Sequence, residues 1–199
     1  DLLDERFRSQ LAHFPPAGAY TLTPEAYIEH IRRVKEAVSI PVFASLNGVT
    51  SEAWLRVAGD VERAGADGLE LNMYDVVSDP GRSSLAIESD LRDLVLEMKR
   101  ALHIPVAMKL SPYFTAPANL ARRLDEAGVD GLVLFNRFYL PDIDITRMTM
   151  APRIDLSTHA ELPLRLHWTA LLRGRVRASL ALTGGIATPA DGAKALLAG

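Results

Sequence analysis

The chain repeats itself. Ile40-Pro41-Val42 returns as Ile104-Pro105-Val106, and Ala64-Gly65-Ala66-Asp67-Gly68-Leu69 returns as Ala127-Gly128-Val129-Asp130-Gly131-Leu132, a period of about sixty residues. Each copy reads as a short apolar strand, a polar loop, an amphipathic helix, an Ala-Gly-x-Asp-Gly turn and a second apolar strand. One copy therefore holds two β/α units. Strands are expected over Val42 to Leu46, Gly68 to Leu71, Val106 to Leu110, Gly131 to Phe135 and Ser179 to Leu182. They are largely unbroken apolar runs, as expected of parallel strands covered on both faces.

Helix signals agree with that grammar. Thr23-Pro24-Glu25, Thr50-Ser51-Glu52 and Thr188-Pro189-Ala190-Asp191 each offer a capping hydroxyl, two of them with a first-turn proline. The glycine of each Ala-Gly-x-Asp-Gly turn is expected to end its helix in the left-handed conformation. A doubly wound sheet would share these features. The near-equal units, the lack of a Gly-x-Gly-x-x-Gly turn after any strand and the late Thr183-Gly184-Gly185-Ile186 favour a (β/α)₈ TIM barrel. Five strands do not close eight, so the expectation is one incomplete barrel domain over residues 1–199, with two strands upstream of Asp1 and one downstream of Gly199, or a complementary chain. Arg137 to Leu166 lacks a clear period and is rich in Pro, Asp, Arg and Met. It reads as a long inserted loop (137–166) over the active-site face.

Composition narrows the chemistry. The net charge of -3 comes without clustered Lys or Arg, so no nucleic-acid partner is expected. No apolar run approaches a bilayer span and Asp1 to Arg8 is charged, so no membrane partner is expected and the reading is cytoplasmic. The chain has no cysteine, which removes disulfides, thiolate metal sites and a cysteine base from this span. The five histidines have no metal-ligand spacing, and no metal is expected.

In such barrels the chemistry sits where the strands end. The polar residues there are Ser45 and Asn47, Asn72, Lys109 with Ser111, Asn136, and Thr183 with Gly184 and Gly185. Lys109 interrupts an apolar strand, where an unpaired ammonium is costly to desolvate. Its partner is either an electron-rich cofactor edge, as a flavin offers, or a barrel carboxylate such as Glu70. Thr183-Gly184-Gly185-Ile186 followed by Thr188-Pro189 offers backbone N–H groups and a helix start to a phosphate, such as that of FMN; a tight turn without ligand has the same text.

The segments Ile40-Pro41-Val42-Phe43-Ala44-Ser45-Leu46-Asn47-Gly48, Glu70-Leu71-Asn72, Met108-Lys109-Leu110-Ser111-Pro112-Tyr113-Phe114 and Thr183-Gly184-Gly185-Ile186 resemble the dihydroorotate dehydrogenases, in family order. The resemblance runs from about Pro41 onward. It implies FMN as cofactor, a small-molecule substrate and a homodimer. It implies that Asn72 touches flavin and substrate, that Asn136 touches substrate, and that Lys109 lies at the flavin N1/O2 edge. Ser45, Asn47, Thr183, Gly184 and Gly185 are cofactor residues on the same reading, and Ser157 matches a flavin-contacting Gly-Ser segment. The pattern departs at one place: where the family carries a Cys or Ser base, this chain reads Asn72-Met73-Tyr74-Asp75-Val76-Val77. Asp75 stands at the base position, with Tyr74 beside it, and either can accept a proton if suitably placed. The resemblance is thus to a dihydroorotate dehydrogenase-like branch. It implies oxidation of dihydroorotate to orotate, a step of pyrimidine biosynthesis, or of a related small molecule. The competing readings are a phosphate-binding barrel lyase or synthase without flavin, and a flavin-binding homologue that is catalytically silent.

Overall fold

The computed structural model describes residues 22–47, 51–73, 77, 79–138, 142–151 and 156–199. Helix α1 (Pro24–Ala37) leads into β1 (Phe43–Leu46), followed by α2 (Ser51–Arg63), β2 (Gly68–Asn72), α3 (Ser84–Ala101), β3 (Val106–Leu110), α4 (Pro117–Glu126) and β4 (Gly131–Leu134). A hairpin of β5 (Asp142–Asp144) and β6 (Thr149–Ala151) precedes a single 3₁₀ turn, His159–Glu161. The chain then forms α5 (Leu162–Leu172), β7 (Ser179–Leu182) and α6 (Pro189–Ala198).

The strands form one parallel sheet in the order β1-β2-β3-β4-β7, each beside the strand that precedes it in the sheet's chain order. A doubly wound sheet reverses its strand order at a switch point. This one does not, and among the described residues it is an open arc of a β/α barrel. The expected strand bounds hold to within one residue.

The two faces of the arc differ more than the apolar runs suggest. On the outer face Ala44, Leu46, Leu69, Leu71, Met108 and Leu132 are buried beneath the helices. The helices meet them with stripes at helical spacing: Trp54, Ala58 and Val61 on α2, and Leu91, Leu94, Val95 and Met98 on α3. The inner face, turned toward the barrel interior, carries two rings fixed by the register. Ser45, Glu70, Ala107, Gly131 and Ser179 are successive partners in one; Asn72, Lys109, Val133 and Ala181 are successive partners in the next. Among the described residues the outer face is the more fully covered: on the inner face Val133 is buried, while Phe43 is 56% exposed.

The sequence repeat has a structural cause at the opposite ends of the strands. Asp67 Oδ2 accepts from the Val42 N–H at 2.6 Å and from Lys35 Nζ at 2.6 Å. One repeat later, Asp130 Oδ2 accepts from the Val106 N–H at 2.7 Å and from Lys99 Nζ at 2.6 Å. A second pair of clamps follows the same rule. Glu62 Oε1 takes the N–H groups of His103 and Ile104, at 2.7 and 3.0 Å, and Asp125 Oδ1 takes those of Arg177 and Ala178, both at 2.8 Å. Gly65 and Gly128 adopt φ +92° and +95°, the left-handed helix ends that the repeat demanded.

The segment expected as a loop over 137–166 is only partly one. It contains the β5–β6 hairpin, and α5 begins at Leu162, so the last five residues are helical. The capping box of Thr158 and Glu161 and a proline in the first turn start this helix. Its buried stripe is Leu162, Arg165, Thr169 and Leu172; two polar residues in that stripe erase the apolar period.

Removing a clamp exposes its worth. Burial alone would raise the Asp125 carboxyl, but the amides of Ala178 and Arg177 and the Arg177 guanidinium outweigh it and hold the pKa below the ordinary value. Asp125→Ala leaves the buried Ala178 N–H without its acceptor, which costs about 2 kcal/mol. Urea unfolding should show the midpoint fall with an unchanged slope; an unchanged midpoint would show that the clamp contributes nothing.

Candidate functional site

The polar strand ends converge at one mouth because the strands are parallel and in register. Asn136 is 7% exposed, and its backbone N–H bonds to Leu110 O at 2.7 Å. Its side-chain Nδ2 donates to Asn72 Oδ1 at 2.6 Å and to Met73 O at 3.1 Å. An amide buried among such partners has a fixed orientation, and it fixes Asn72 in turn.

Lys109 is the register partner of Asn72. Its Nζ lies 3.6 Å from Glu70 Oε1, and the same oxygen accepts from Ser45 Oγ at 2.9 Å. Glu70 thus faces the barrel interior, a point the sequence left open, and the ammonium has a carboxylate partner. Both side chains remain about a fifth exposed, at 22% and 21%, so each keeps a side open to a ligand. Ser45 is held in place from behind: the Tyr27 hydroxyl donates to Ser45 O at 2.9 Å and accepts from Ser45 N at 3.1 Å. Burial raises the Tyr27 pKa, so this hydroxyl stays protonated and able to do both.

Thr183 extends the β4–β7 ladder by donating its N–H to Leu134 O at 2.9 Å. Gly184 and Gly185 then turn the chain with φ +87° and +79°, conformations that L side chains resist. The N–H groups of Gly184, Gly185 and Ile186 have no acceptor among the described residues. Packing demands glycine here as well. A Cβ on Gly184 would stand 3.2 Å from Arg165 Nε, and one on Gly185 would stand 2.8 Å from Leu162 N. The turn lies directly on the first turn of α5.

The helix after the turn is less available to an anion than its cap suggested. Asp191, 1% exposed, accepts from the N–H groups of Ala187 and Thr188 at 3.2 and 3.0 Å, and His159 Nδ1 lies 3.2 Å away. Burial alone would raise this carboxyl; the Ala187 amide, the Thr188 hydroxyl and amide and the His159 ring outweigh it and hold its pKa at about 2. An ionised internal carboxylate therefore occupies part of the positive helix end. The amides left open at this strand end are those of the glycine turn.

Of the remaining expected residues, Asn47 and Ser157 are exposed and hydrogen-bond to no other site residue among those described. Tyr74 and Asp75, the expected base positions, lie outside the described residues. Sequence reading missed Arg165 and Glu161, which stand against the glycine turn. Arg165 Nε donates to Thr183 O at 2.5 Å, one terminal nitrogen donates to Glu161 O at 2.9 Å, and the other to Glu161 Oε2 at 3.0 Å. Arg137, next to Asn136, shares that carboxylate oxygen at 3.1 Å. The available signal was an arginine at a core position of a helical stripe.

No family model matches the chain. The chain is 30% identical over 167 residues to dihydroorotate dehydrogenase A (fumarate) of Lacticaseibacillus paracasei, an alignment covering 80% of this chain and 57% of that protein. The fold superposes on the dihydroorotate dehydrogenase of Eimeria tenella with a TM-score of 0.61 at 15% identity, over 88% of this chain and 56% of that one. It superposes equally on a phosphoenolpyruvate phosphomutase from Streptomyces platensis subsp. rosaceus, with a TM-score of 0.62 at 15% identity over 90% and 59%. The two structures establish the barrel fold alone. The chain spans less than two thirds of the length of the relative it matches.

The Asp191 cap sets an acid limit on the last helix. Because the folded-state pKa is depressed, its stabilisation is complete above the ordinary aspartate value of 3.8 and is lost as pH falls toward about 2. Asp191→Asn should lower the urea midpoint at neutral pH and flatten the wild-type decline between about pH 4 and about pH 2. Wild-type and variant curves that stay parallel across that window would exclude this role.

Proposed function

We propose, from the premise that this chain is a homologue of the dihydroorotate dehydrogenases, that residues 1–199 form one FMN-binding barrel domain of an oxidoreductase. Its reaction is the oxidation of dihydroorotate to orotate, or of a related small substrate. The observation that carries the reading is the meeting of Asn72, Asn136 and Lys109 at one mouth, in the same sheet as a strand that ends in a glycine turn whose amides have no acceptor among the described residues. That donor set suits the group. The open amides of Gly184 and Gly185 after Thr183 fit a phosphate, and a lysine fits the electron-rich edge of an isoalloxazine.

FMN, when bound, supplies the hydride acceptor. The chain's own work is to orient substrate and to manage one proton and one charge. Asn136, whose Nδ2 is held by Met73 O and Asn72 Oδ1, would offer its amide oxygen to the substrate, and Asn72 would touch both substrate and flavin. Lys109 stabilises negative charge at the N1/O2 edge. Ser45, Asn47 and Ser157 complete the cofactor contacts. Loss of hydride from a C–H bond requires that the neighbouring carbon give up a proton, and Asp75 or Tyr74 takes it. On the same reading the enzyme is a cytoplasmic homodimer of a pyrimidine-biosynthetic type.

The equal fit to a phosphomutase barrel favours one second reading, a phosphate-binding barrel enzyme without flavin. The visible spectrum of the full-length purified protein separates the two. Flavin bands that bleach on anaerobic addition of dihydroorotate support the oxidoreductase; bands that persist retain the cofactor and reject this substrate; a colourless protein that takes up no FMN sinks the flavin reading. Lys109→Met should slow the bleaching about 100-fold and lower the flavin midpoint potential. Unchanged values for both would remove Lys109 from the flavin edge.

A further inference from the structure

A guanidinium 5% exposed on the packed stripe of a helix calls for a reason, since burying it costs desolvation that only specific partners offset. Arg165 has three such partners. They lie on two separate pieces of chain: Thr183 O on the strand that leads into the glycine turn, and the Glu161 carbonyl and carboxylate on the 3₁₀ turn before α5. The planar fork reaches all three at once, which a lysine's single ammonium does not. Gly184 is shaped around it: the space a Cβ would take lies 3.2 to 3.5 Å from the Nε, terminal nitrogen and Cζ of Arg165. The Glu161 carboxylate is itself divided, with Oε2 accepting from Arg137 as well as Arg165 and Oε1 accepting from the Thr158 N–H at 3.2 Å. The turn whose amides are open is therefore bolted to α5 by one buried cation, whose carboxylate partner is shared with other donors.

We propose that Arg165 is the positioning residue of the phosphate end of the site: it fixes the Thr183-Gly184-Gly185 backbone so that its open amides meet a phosphate, and it makes binding selective for a phosphate-bearing flavin over the same flavin without phosphate. This rests on the flavin reading above and goes beyond it in naming what selects the phosphate. The isoalloxazine end, with Lys109 and Asn72, is built on other strands, so disturbing Arg165 separates the two ends.

The test uses full-length protein stripped of flavin and titrated with FMN and with riboflavin, following flavin fluorescence. Wild type should bind FMN on the order of 100-fold more tightly than riboflavin. Arg165→Lys keeps the charge and loses the fork; it should weaken FMN about 10-fold while riboflavin affinity stays within about twofold. Arg165→Met should bring the two ligands to within about threefold of each other. Should the Met variant fail to fold, the Lys variant carries the test. Equal weakening of FMN and riboflavin, or no weakening of FMN, overturns the proposal, because a merely structural arginine affects both ligands alike. A second readout separates this proposal from the flavin reading. In protein labelled with ¹⁵N-glycine, inorganic phosphate should shift the Gly184 and Gly185 amides in wild type, and about tenfold more phosphate should be needed for the same shift in Arg165→Lys. That result in a protein that binds no flavin defeats the flavin reading and leaves Arg165 in its role. No phosphate shift in wild type overturns the assignment itself.

Discussion

Everything at the mouth of this arc depends on carboxylates at its other end. A parallel strand is entered from a loop, and the first amides of the strand have no ladder partner there. Asp67, Asp130, Glu62 and Asp125 supply the missing acceptors, each from the chain one unit away in the fold. An N–H that has one carboxylate to go to cannot slip by a residue without losing it, and a slip of one residue would exchange the inner and outer faces of a strand. The clamps therefore hold the register that puts Asn72 beside Lys109 and Ser45 beside Glu70. Stability is concentrated at one end of the strands and polar function at the other, joined by a few residues of rigid sheet.

The inner face shows what that division costs. Its outer counterpart is uniformly apolar, yet the inner face holds a serine in hydrogen-bond range and a lysine in ion-pair range of one glutamate. An ammonium and a carboxylate on a half-covered sheet lose hydration, and their attraction offsets that loss only with further hydrogen bonds. Ser45 provides one, and Tyr27 holds Ser45 by both its backbone groups. Helix α1 thus reaches the site chemistry through a single hydroxyl.

How much of this was legible depends on whether the cause was local. The Ala-Gly-x-Asp-Gly turns announced the helix ends, because the glycine conformation is set within a few residues and occurs twice; the aspartate clamps of the same turns were not read, because their partners Val42 and Val106 lie in the neighbouring unit. The polar strand ends were legible because barrel geometry assigns them one side in advance. Glu70 was not, since alternation alone gives its face only when the strand's apolar pattern is one-sided, and Leu69, Glu70 and Leu71 fit either face of a two-sided strand. Arg165 was hidden for a different reason. A charged residue in a stripe of Leu162, Thr169 and Leu172 breaks the helical period, and the text then reads as the tail of a loop. Tyr74 and Asp75 carry the departure from the family pattern and lie outside the described residues.

The two ends of the proposed site are built on one principle, a cation held by a carboxylate that has other obligations. Glu70 divides itself between Lys109 and Ser45, and Glu161 between Arg165, Arg137 and the Thr158 amide. A carboxylate engaged in several directions neutralises any one cation less completely than a dedicated partner would. It also fixes that cation in place more firmly, because moving it means breaking bonds among several groups at once. On the proposed reading, a site that attracts an anionic phosphate and tolerates negative charge on a ring calls for cations that are both immobile and incompletely neutralised. Shared carboxylates meet both needs, whereas a simple pair in isolation meets only the first.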